Sequence, residues 1–588
     1  MRKKGYGGDR DMGSTVKRVL KLGKPYWFKL TLAFIMLTAV LLARLIIPRI
    51  TASIVNDVIT DGQYDRLYPL CGAMLGLTLL RAILNYLRPM TFEHVSQQIN
   101  IDLREGLYKH LQEMPWEFYD KNRVGEIMSR MTGDLNNVRN FFAACLNSIY
   151  QTVFNFAGSI VVMSFMSWQV TLMVLVITPL VAWLAASFRK KIRTVFVDIR
   201  EQNAVLNTRV QENLAGMHVV KAFAREDYEI ENFKRDNRLL LEKNLKATWI
   251  WSNYMPILNM ISTLCTPICL LGSALMVKAG RMDIGTLVGV TGYIWTLISP
   301  MQQVAGIINT TTQAMTSAEK LFYYQDLGAS IKEPEDAVEP SKYEGHVVFD
   351  HVTFAYADKP VLKDICLDVK PGETVAIMGA TGSGKSTLVT LLGRFYDVTS
   401  GSIRIDGIDI RRQKLQSLRK HIGFIMQDTF LFSDTIRDNI RYGIPDASDE
   451  DVKNAADVAQ ADKFIKDCPQ GYETVVGERG MGLSGGQKQR TSIARAVLTN
   501  PTILIMDDST SAVDMETEFE IQQKLKSVLK NRTTFIIAHR ISSVKNADQI
   551  IVLKDGEIAE RGTHSELLEK NGIYAGMVSD QMSSAVKV

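Results

Sequence analysis

Three long stretches of the chain carry no Asp, Glu, Lys or Arg: residues 141–188, 247–277 and 284–318. A bilayer core of about 30 Å is crossed by about 20 helical residues, so the first stretch predicts two spans with a tight turn near Ser167 and Trp168. The other two stretches predict one span each. Apolar runs over residues 30–50 and 67–87 bring the prediction to six transmembrane helices. We therefore expect an integral membrane protein.

The basic residues predict how these helices are oriented. The segment before Leu30 has nine Lys or Arg residues and only two acidic ones, and a basic cluster at residues 189–193 follows the fourth span. Because Lys and Arg accumulate on the cytoplasmic side, both segments are expected there, in a bacterial plasma membrane. Lys278 and Arg281, in the short turn between spans five and six, run mildly against this bias.

Two charged segments, roughly residues 89–140 and 189–246, separate the apolar ones. Each has helical periodicity and is too polar for a membrane. We expect both to be cytoplasmic extensions of the flanking helices, reaching on the order of 40 Å below the bilayer and able to touch a second domain. The alternative is a solvated stalk with no partner.

The composition and the hydrophobic pattern of the sequence change after the last span. Residues 317–344 are polar and contain Pro334 and Pro340, which is typical of a linker. From His346 onward, alternating strands and turns predict an α/β domain. We therefore expect a cytoplasmic N-terminal segment at 1–25, a transmembrane domain at 26–318, a linker at 319–344 and a cytoplasmic α/β domain at 345–588.

The strongest local motif is Gly379–Ser386, which reads G-x-x-x-x-G-K-S directly after an apolar run at residues 374–378. Such a strand, glycine loop and helix start form a cradle whose backbone N–H groups bind phosphates. Lys385 is expected to reach the β- and γ-phosphates, and the Ser386 hydroxyl to ligate Mg²⁺. The helical pattern that follows, from Leu388 to Phe395, argues against a chance match.

Further polar residues follow predicted strands, where α/β proteins build nucleotide sites. Asp507 ends a buried strand and can hold Mg²⁺ through water, and Asp508 stands where a general base would. Gln427 follows a predicted strand at residues 422–426, and His539 follows one at residues 534–538. Tyr356, at the end of the strand over residues 347–356, can stack on a purine or be an ordinary strand aromatic.

A second anion-binding helix start is predicted about 110 residues after the phosphate loop. Leu483–Gln487 reads Leu-Ser-Gly-Gly-Gln and precedes a helix. Singly, Gln427 and His539 would each more often be structural.

Taken together, the motifs resemble those of an ATP-binding cassette exporter half-transporter, over nearly the whole chain. Tyr356 is similar to the A-loop, Gly379–Ser386 to the Walker A motif, Gln427 to the Q-loop, Leu483–Gln487 to the signature, Asp507 to the Walker B carboxylate, residues 511–514 to the D-loop and His539 to the switch histidine. Residues 116–126 and 222–226 resemble the two intracellular coupling segments, which dock on cassettes. The fold implied is a polytopic α-helical membrane domain of six transmembrane helices with long cytoplasmic extensions, followed by an α/β P-loop nucleotide-binding domain at residues 345–588.

The resemblance implies a dimer that sandwiches ATP between the Walker A motif of one cassette and the signature of the other. The implied contacts to this chain's own nucleotide are Tyr356, Gly379, Thr381, Gly382, Ser383, Gly384, Lys385, Ser386, Thr387, Gln427 and Asp507. Mg²⁺ would be held by Ser386, Gln427 and Asp507, and the catalytic groups would be Asp508, His539 and Gln427. The partner's nucleotide would be contacted by Ser484, Gly485, Gly486, Gln487 and Asp514.

One residue departs from the family pattern. After the Walker B aspartate the family places a catalytic glutamate, and this chain has Asp508. Aspartate is one methylene shorter, about 1.5 Å, and a base that misses its water by that distance is a poor catalyst. The signature is intact. The chain is therefore expected to hydrolyse ATP poorly at its own site and to complete an active site on a different partner subunit that carries the glutamate.

Composition says little about the cargo. A net charge of +5 over 588 residues gives no argument for a nucleic-acid partner, and the six cysteines have no disulfide-framework spacing. Met and aromatic residues in spans five and six suit hydrophobic or amphipathic cargo such as drugs, lipids or peptides, and equally suit helix packing. Two alternatives stay open: a nucleotide-gated regulatory membrane protein without sustained transport, and a homodimeric exporter that uses Asp508 as its base.

Overall fold

The computed structural model describes residues 12–328, 331–357, 359–508, 515–529, 532–538 and 540–586. The chain divides into two compact units. The first contains the residues up to Glu113 together with Arg123–Gly328. The second contains Met114–Asn122 and the residues after Gly328. Two residues singled out from the sequence, Asp514 and His539, lie outside the described residues.

Helices account for nearly all of the described part of the chain up to residue 328. They are α1 (Met12–Leu22), α2 (Trp27–Ser53), α3 (Leu67–Glu113), α4 (Trp116–Lys121), α5 (Val124–Ser129), α6 (Leu135–Asn140), α7 (Leu146–Met166), α8 (Trp168–Ala215), α9 (Met217–Ala222), α10 (Glu226–Lys278) and α11 (Ile284–Asp326). Turns of π-helix at Ile54–Thr60, Arg130–Asp134 and Phe141–Cys145 extend or join several of them.

The apolar helices of the first unit are long enough to span a bilayer. Five helical segments in the described residues combine the required length and hydropathy, and they contain α2, α3, α7, α8 and α10. The sixth is α11, whose apolar stretch Ile284–Ser299 is shorter. The chain reverses at Ser167, which is extended between α7 and α8 at the predicted turn. The predicted helical membrane domain is confirmed.

The charged segments continue the flanking helices, except that Met114–Asn122 interrupts the first of them and belongs to the second unit. Helix α8 runs on to Ala215, and α10 begins at Glu226 and leads back into the apolar region. The two are joined by an ion pair in which Arg209 Nε lies 2.6 Å from the buried Asp236 Oδ2. Because the Asp236 carboxylate is buried, it needs this partner, and the pair fixes one helix against the other. The arms therefore form an antiparallel helical hairpin.

The second unit contains two sheets. The strands are β1 (Val347–Tyr356), β2 (Lys359–Val369), β3 (Thr374–Gly379), β4 (Ser400–Ile405), β5 (Ile408–Asp409), β6 (Ile422–Ile425), β7 (Ile503–Asp507), β8 (Thr533–Ile537), β9 (Gln549–Lys554) and β10 (Glu557–Gly562). The antiparallel sheet has the order β2-β1-β4-β5. The larger sheet has the order β10-β9-β3-β8-β7-β6, with β10 antiparallel and the other strands parallel.

The strands of the larger sheet carry the core of this unit. All five residues of β7 are buried, as are the four central residues of β3, and both strands are apolar almost without interruption. This is the pattern of parallel strands covered on both faces. The helices that accompany the sheets are α12 (Lys385–Leu392), α13 (Leu415–Lys420), α14 (Ile436–Ile440), α15 (Asp449–Val458), α16 (Asp462–Asp467), α17 (Gly485–Leu498), α18 (Met515–Leu529), α19 (Ile541–Val544), α20 (His564–Glu569) and α21 (Ile573–Val586).

Candidate nucleotide site and family

The motif residues meet at one edge of the parallel sheet. Asp507 at the end of β7 pairs with Ile537 of β8, and Ile537 pairs with Ile377 of β3, two residues before the phosphate loop begins. Parallel strands present their carboxyl ends on the same side, where α/β proteins bind ligands. The register therefore brings Asp507, Asp508 and the start of the phosphate loop to the same edge of the sheet.

The phosphate loop has the backbone conformation that its glycines allow. Gly379, Gly382 and Gly384 have φ of 144°, 83° and 104°, a range that residues with a Cβ rarely adopt. A Cβ on Gly379 would also lie 2.3 Å from the carbonyl oxygen of Leu553, whereas a Cβ on Gly382 would meet nothing within 4 Å. The loop is packed tightly at its start and open at its middle. Helix α12 begins at Lys385, with Gly384 as its N-cap.

Two side chains of the loop are suited to bind an anion. Lys385 is 7% exposed, and its Nζ donates to the carbonyl oxygens of Gly379 at 2.8 Å and Ala380 at 3.0 Å. Burial lowers the pKa of Lys385, while the charges of Asp507 and Asp508 act in the opposite direction. The Ser383 hydroxyl is buried and has no hydrogen-bond partner among the described residues. A phosphate group would satisfy this hydroxyl, so the loop fits a nucleotide.

The two neighbouring aspartates, Asp507 and Asp508, differ from each other in backbone conformation. Asp507 is 9% exposed and ends β7 as an ordinary strand residue. Asp508 has φ of 43°, in the left-handed region that aspartate tolerates. Its N–H donates to the carbonyl oxygen of Ile537 at 2.8 Å, and its own carbonyl oxygen accepts from Gln489 Nε2 at 3.3 Å. The backbone of Asp508 is thus held from both sides, by β8 and by α17.

Ser484 and Gln487 cap helix α17. Ser484 Oγ accepts from the backbone N–H of Gln487 at 3.3 Å, and Gln487 Oε1 accepts from the backbone N–H of Ser484 at 2.8 Å. This reciprocal pair is a capping box, and it fixes the first turn of the helix, where Gly485 and Gly486 lie. The remaining N–H groups of that turn make a positive helix end that suits an anion.

The other residues singled out from the sequence occupy the expected elements. Ser386 and Thr387 lie in the first turn of α12, with Ser386 exposed and Thr387 partly buried. Thr381 is exposed in the phosphate loop, and Gln427 is exposed two residues after β6 ends. Tyr356 closes β1 and is 39% exposed. Part of its side chain is therefore accessible to a base.

Comparison with known proteins shows which protein family the chain belongs to. Residues 30–301 match the transmembrane region of ABC transporters, and residues 362–511 match the ABC transporter domain. An uncharacterized ABC transporter ATP-binding protein, YknU of Bacillus subtilis, is 39% identical over 92% of this chain and 93% of its own length. An ATP-dependent lipid A-core flippase of Syntrophus aciditrophicus is 35% identical over 95% of this chain and 93% of its own.

A solved structure agrees over both units. A bacterial Atm1-family ABC exporter with ATP bound is 30% identical, with a TM-score of 0.79, and the match covers 94% of this chain and 99% of that one. The chain belongs to the ABC exporters. It is a half-transporter, with one helical transmembrane domain followed by one ATPase cassette that couples ATP hydrolysis to transport.

Residues 116–122, part of the segment that resembles the family's first coupling segment, pack inside the second unit. Trp116 of α4 stacks on Phe395 with ring centroids 4.0 Å apart and ring planes 14° apart. Phe118 of the same helix is buried. Tyr396, the neighbour of Phe395, donates its hydroxyl to Asp120 Oδ2. Burial and this hydrogen bond together raise the pKa of the Tyr396 hydroxyl.

Tyr396 is the residue that sequence reasoning missed. Its ring meets the ring of Tyr356 edge to face, with centroids 5.2 Å apart at 90°, while its hydroxyl bonds Asp120. It therefore connects the aromatic residue proposed to stack on the nucleotide base with the coupling segment. No local pattern marks it, because Tyr396 lies beyond the end of α12 and its partners come from two other parts of the chain.

Residues 222–226, which resemble the family's second coupling segment, have a different environment. Phe223 follows α9 and is 74% exposed, and the next residue, Ala224, has φ of 50°. The positive φ turns the chain sharply between α9 and α10. The aromatic ring is thus displayed at the tip of the hairpin formed by α8 and α10.

Proposed function

We propose that this chain is one subunit of a heterodimeric ATP-driven exporter. Its own ATP site, with Asp508 in place of glutamate, hydrolyses slowly, and its signature completes a fast site on the partner. The partner carries a Walker B glutamate. The cargo is a hydrophobic or amphipathic compound (a drug, lipid or peptide) taken from the cytoplasm or inner leaflet, and the name of the flippase relative supports this class.

The observation that carries the proposal is the fixed backbone of Asp508. Its N–H and its carbonyl oxygen are both hydrogen-bonded, to β8 and to Gln489 of α17. A shift of the backbone toward the nucleotide would break these bonds. The reach of the carboxylate is therefore set by the side chain alone, which is about 1.5 Å shorter than that of glutamate. Catalytic positioning is sensitive to displacements of this size.

The remaining nucleotide residues support binding without fast hydrolysis. The phosphate loop fits a nucleotide through Lys385 and the unsatisfied Ser383 hydroxyl. Ser386, Gln427 and Asp507 are the oxygen-bearing residues that would hold Mg²⁺, which neutralises phosphate charge when bound. Tyr356 would stack on the base. We assign the switch and D-loop roles of His539 and Asp514 from the family pattern.

The signature is suited to act on the partner's nucleotide. The capping box between Ser484 and Gln487 orders the first turn of α17, so that its backbone N–H groups are already oriented toward an anion. Gly485 and Gly486 add no side chain that would keep a phosphate away. In this arrangement the chain contributes more to the partner's turnover than to its own.

The proposed orientation places residues 1–25 and the cassette at residues 345–588 in the cytoplasm, with residues 26–318 in the membrane and 319–344 as the linker. The basic N-terminal segment supports it.

The test is steady-state ATPase activity of two purified samples, the chain alone and the complex with the protein that co-purifies with it. The chain alone should hydrolyse slowly, and Asp508→Glu should accelerate it by about 10²-fold, the lower end of a general-base contribution. In the complex, Asp508→Asn should cost far less than changing the partner's Walker B glutamate to glutamine.

Two results would contradict the proposal. One is full activity of the chain alone as a homodimer. The other is loss of all turnover in the complex on Asp508→Asn. In either case Asp508 is a working base.

A further inference from the structure

A group of three potential metal ligands lies on strands β1 and β2 of the antiparallel sheet. His351 comes from β1, and Asp364 and Cys366 come from β2. One ligand atom from each of them lies within 4.8 Å of the others, and all three side chains are exposed. No role in nucleotide binding or coupling accounts for them.

Two successive irregularities in strand pairing bring these residues together. Between the pairs Phe349–Leu367 and Val352–Ile365, β1 has one residue more than β2, and His351 is in that bulge. Between the next pairs, Val352–Ile365 and Phe354–Leu362, it is β2 that has one residue more. Asp364 is in this second bulge. Both residues have positive φ, 48° for His351 and 50° for Asp364. Bulges redirect side chains, and non-glycine residues in this region are often found at ligand sites.

Asp364 and Cys366 both contact the same ring nitrogen of His351. His351 Nδ1 lies 2.6 Å from Asp364 Oδ1 and 3.5 Å from Cys366 Sγ. A single proton on Nδ1 can bridge to the carboxylate or to the sulfur, but not well to both. A cation bound between the three atoms interacts with all of them at once, with Nε2 left to carry the ring proton.

We propose that His351, Asp364 and Cys366 bind a divalent transition metal of the zinc class. Tetrahedral zinc with bonds of about 2.0–2.1 Å to nitrogen and oxygen and about 2.3 Å to sulfur requires an N···S separation of about 3.5 Å, which the structure already has. The N···O separation must open by about 0.7 Å from the 2.6 Å hydrogen bond. The side chains of His351 and Asp364 are both more than two-thirds exposed. Rotation about their χ angles can therefore widen the N···O separation by this amount.

The chemistry of the ligands selects the metal. A thiolate and an imidazole favour zinc and its neighbours, whereas Mg²⁺ and Ca²⁺ require an all-oxygen set. Thiolate and carboxylate together cancel the +2 charge. Three protein ligands leave a fourth position for water, as in zinc sites that are open rather than purely structural. The bound metal would cross-link β1 to β2 a few residues before Tyr356.

The test uses the full-length protein, purified in detergent with a reducing agent and stripped of metal by a chelator. Titration with Co²⁺ in the absence of nucleotide should produce a thiolate-to-cobalt charge-transfer band that saturates at one equivalent, and Zn²⁺ should displace it. Cys366→Ser should abolish the band, and His351→Ala and Asp364→Asn should each weaken Co²⁺ binding at least about 10-fold. Cys468→Ser, at a partly buried cysteine elsewhere in the same unit, is the matched control and should change nothing.

A second measurement does not depend on the spectrum. Zn²⁺ should raise the thermal unfolding midpoint of the wild-type protein and of Cys468→Ser, but not that of Cys366→Ser. The proposal is overturned if no band forms at stoichiometric Co²⁺, if the band survives Cys366→Ser, or if it disappears equally in the cysteine control.

Discussion

Trp116 stacks on Phe395, its plane 14° from parallel and its centroid 4.0 Å away, although the two residues belong to distant parts of the chain. The segment that carries Trp116, Met114–Asn122, belongs to the second unit, while the residues on both sides of it in the sequence belong to the first. The stack therefore holds this segment against Phe395 within the second unit.

Loss of this stack should uncouple hydrolysis from transport. An aromatic pair contributes about 0.5–1.5 kcal/mol beyond the area it buries, enough to shift a two-state equilibrium severalfold. We expect Trp116→Ala to lower the amount of cargo moved per ATP while ATP binding persists, measured as uptake and hydrolysis in the same inside-out vesicles. Trp116→Phe keeps an aromatic ring and should retain most of the coupling. If both variants moved as much cargo per ATP as the wild type, Trp116 would have no role in coupling.

Phe223 should dock on a cassette surface in the assembled exporter. Its ring is 74% exposed in this chain, and aromatic anchors of this kind dominate many interfaces. Phe223→Asp should therefore reduce transport at a nearly unchanged rate of ATP hydrolysis. Tyr228→Asp, a matched change at an exposed aromatic in the first turns of α10, should have a smaller effect. A Phe223→Asp variant that transports at the normal rate per ATP would refute the placement.

Lys385→Ala should weaken ATP binding at this chain's site. The alanine removes the ammonium that is held over the loop by Gly379 and Ala380. Labelling by a photoreactive ATP analogue should fall by at least about 10-fold, as expected when a charged hydrogen bond worth about 1.5–3 kcal/mol is lost. Lys554→Ala, at an exposed lysine of the same sheet, is the control. Unchanged labelling of the Lys385→Ala site would count against the assignment.

The same lysine predicts a pH dependence. Burial lowers the pKa of Lys385, so the free protein loses this charge at a lower pH than an ordinary lysine would. ATP binding should therefore weaken as the pH rises through that lowered pKa. The Lys385→Ala variant should lack this alkaline decline.

Gln487→Glu separates the capping role of the signature from its proposed phosphate role. Glutamate also completes a capping box with Ser484, so helix α17 should keep its start. The new negative charge would face the partner's nucleotide, and ATP turnover of the complex should fall severely at an unchanged thermal midpoint. Turnover close to wild type would mean that this helix end does not face a phosphate.

Much of the fold could be predicted because its signals are local. The stretches without charged residues predicted the long helices. The turn near Ser167 lies where residues 141–188, too long for one span, were divided into two. The predicted strands at residues 422–426 and 534–538 correspond to β6 and β8 within one residue at either end. The phosphate loop was predictable because glycine spacing, strand and helix start follow one another directly.

What could not be predicted depends on partners far apart in sequence. The hydrogen bonds that fix Asp508 come from β8 and from Gln489, and the contacts of Tyr396 come from Asp120 and Tyr356. His351 and Cys366 face each other only because of bulges, which shift the register without a strong sequence signal. The His539 and Asp514 assignments remain predictions.

The placement of Met114–Asn122 also sets an order of events during synthesis. Asp120 leaves the ribosome 276 residues before its partner Tyr396. At about 5–20 residues per second, the segment waits on the order of 15–55 s for the surface it will cover. During that interval its aromatic side chains have no native surface to pack on, and the nascent membrane helices on either side must hold it in place. Removal of the cassette leaves the same segment uncovered permanently, so a truncated transmembrane domain should be prone to aggregate through these nine residues.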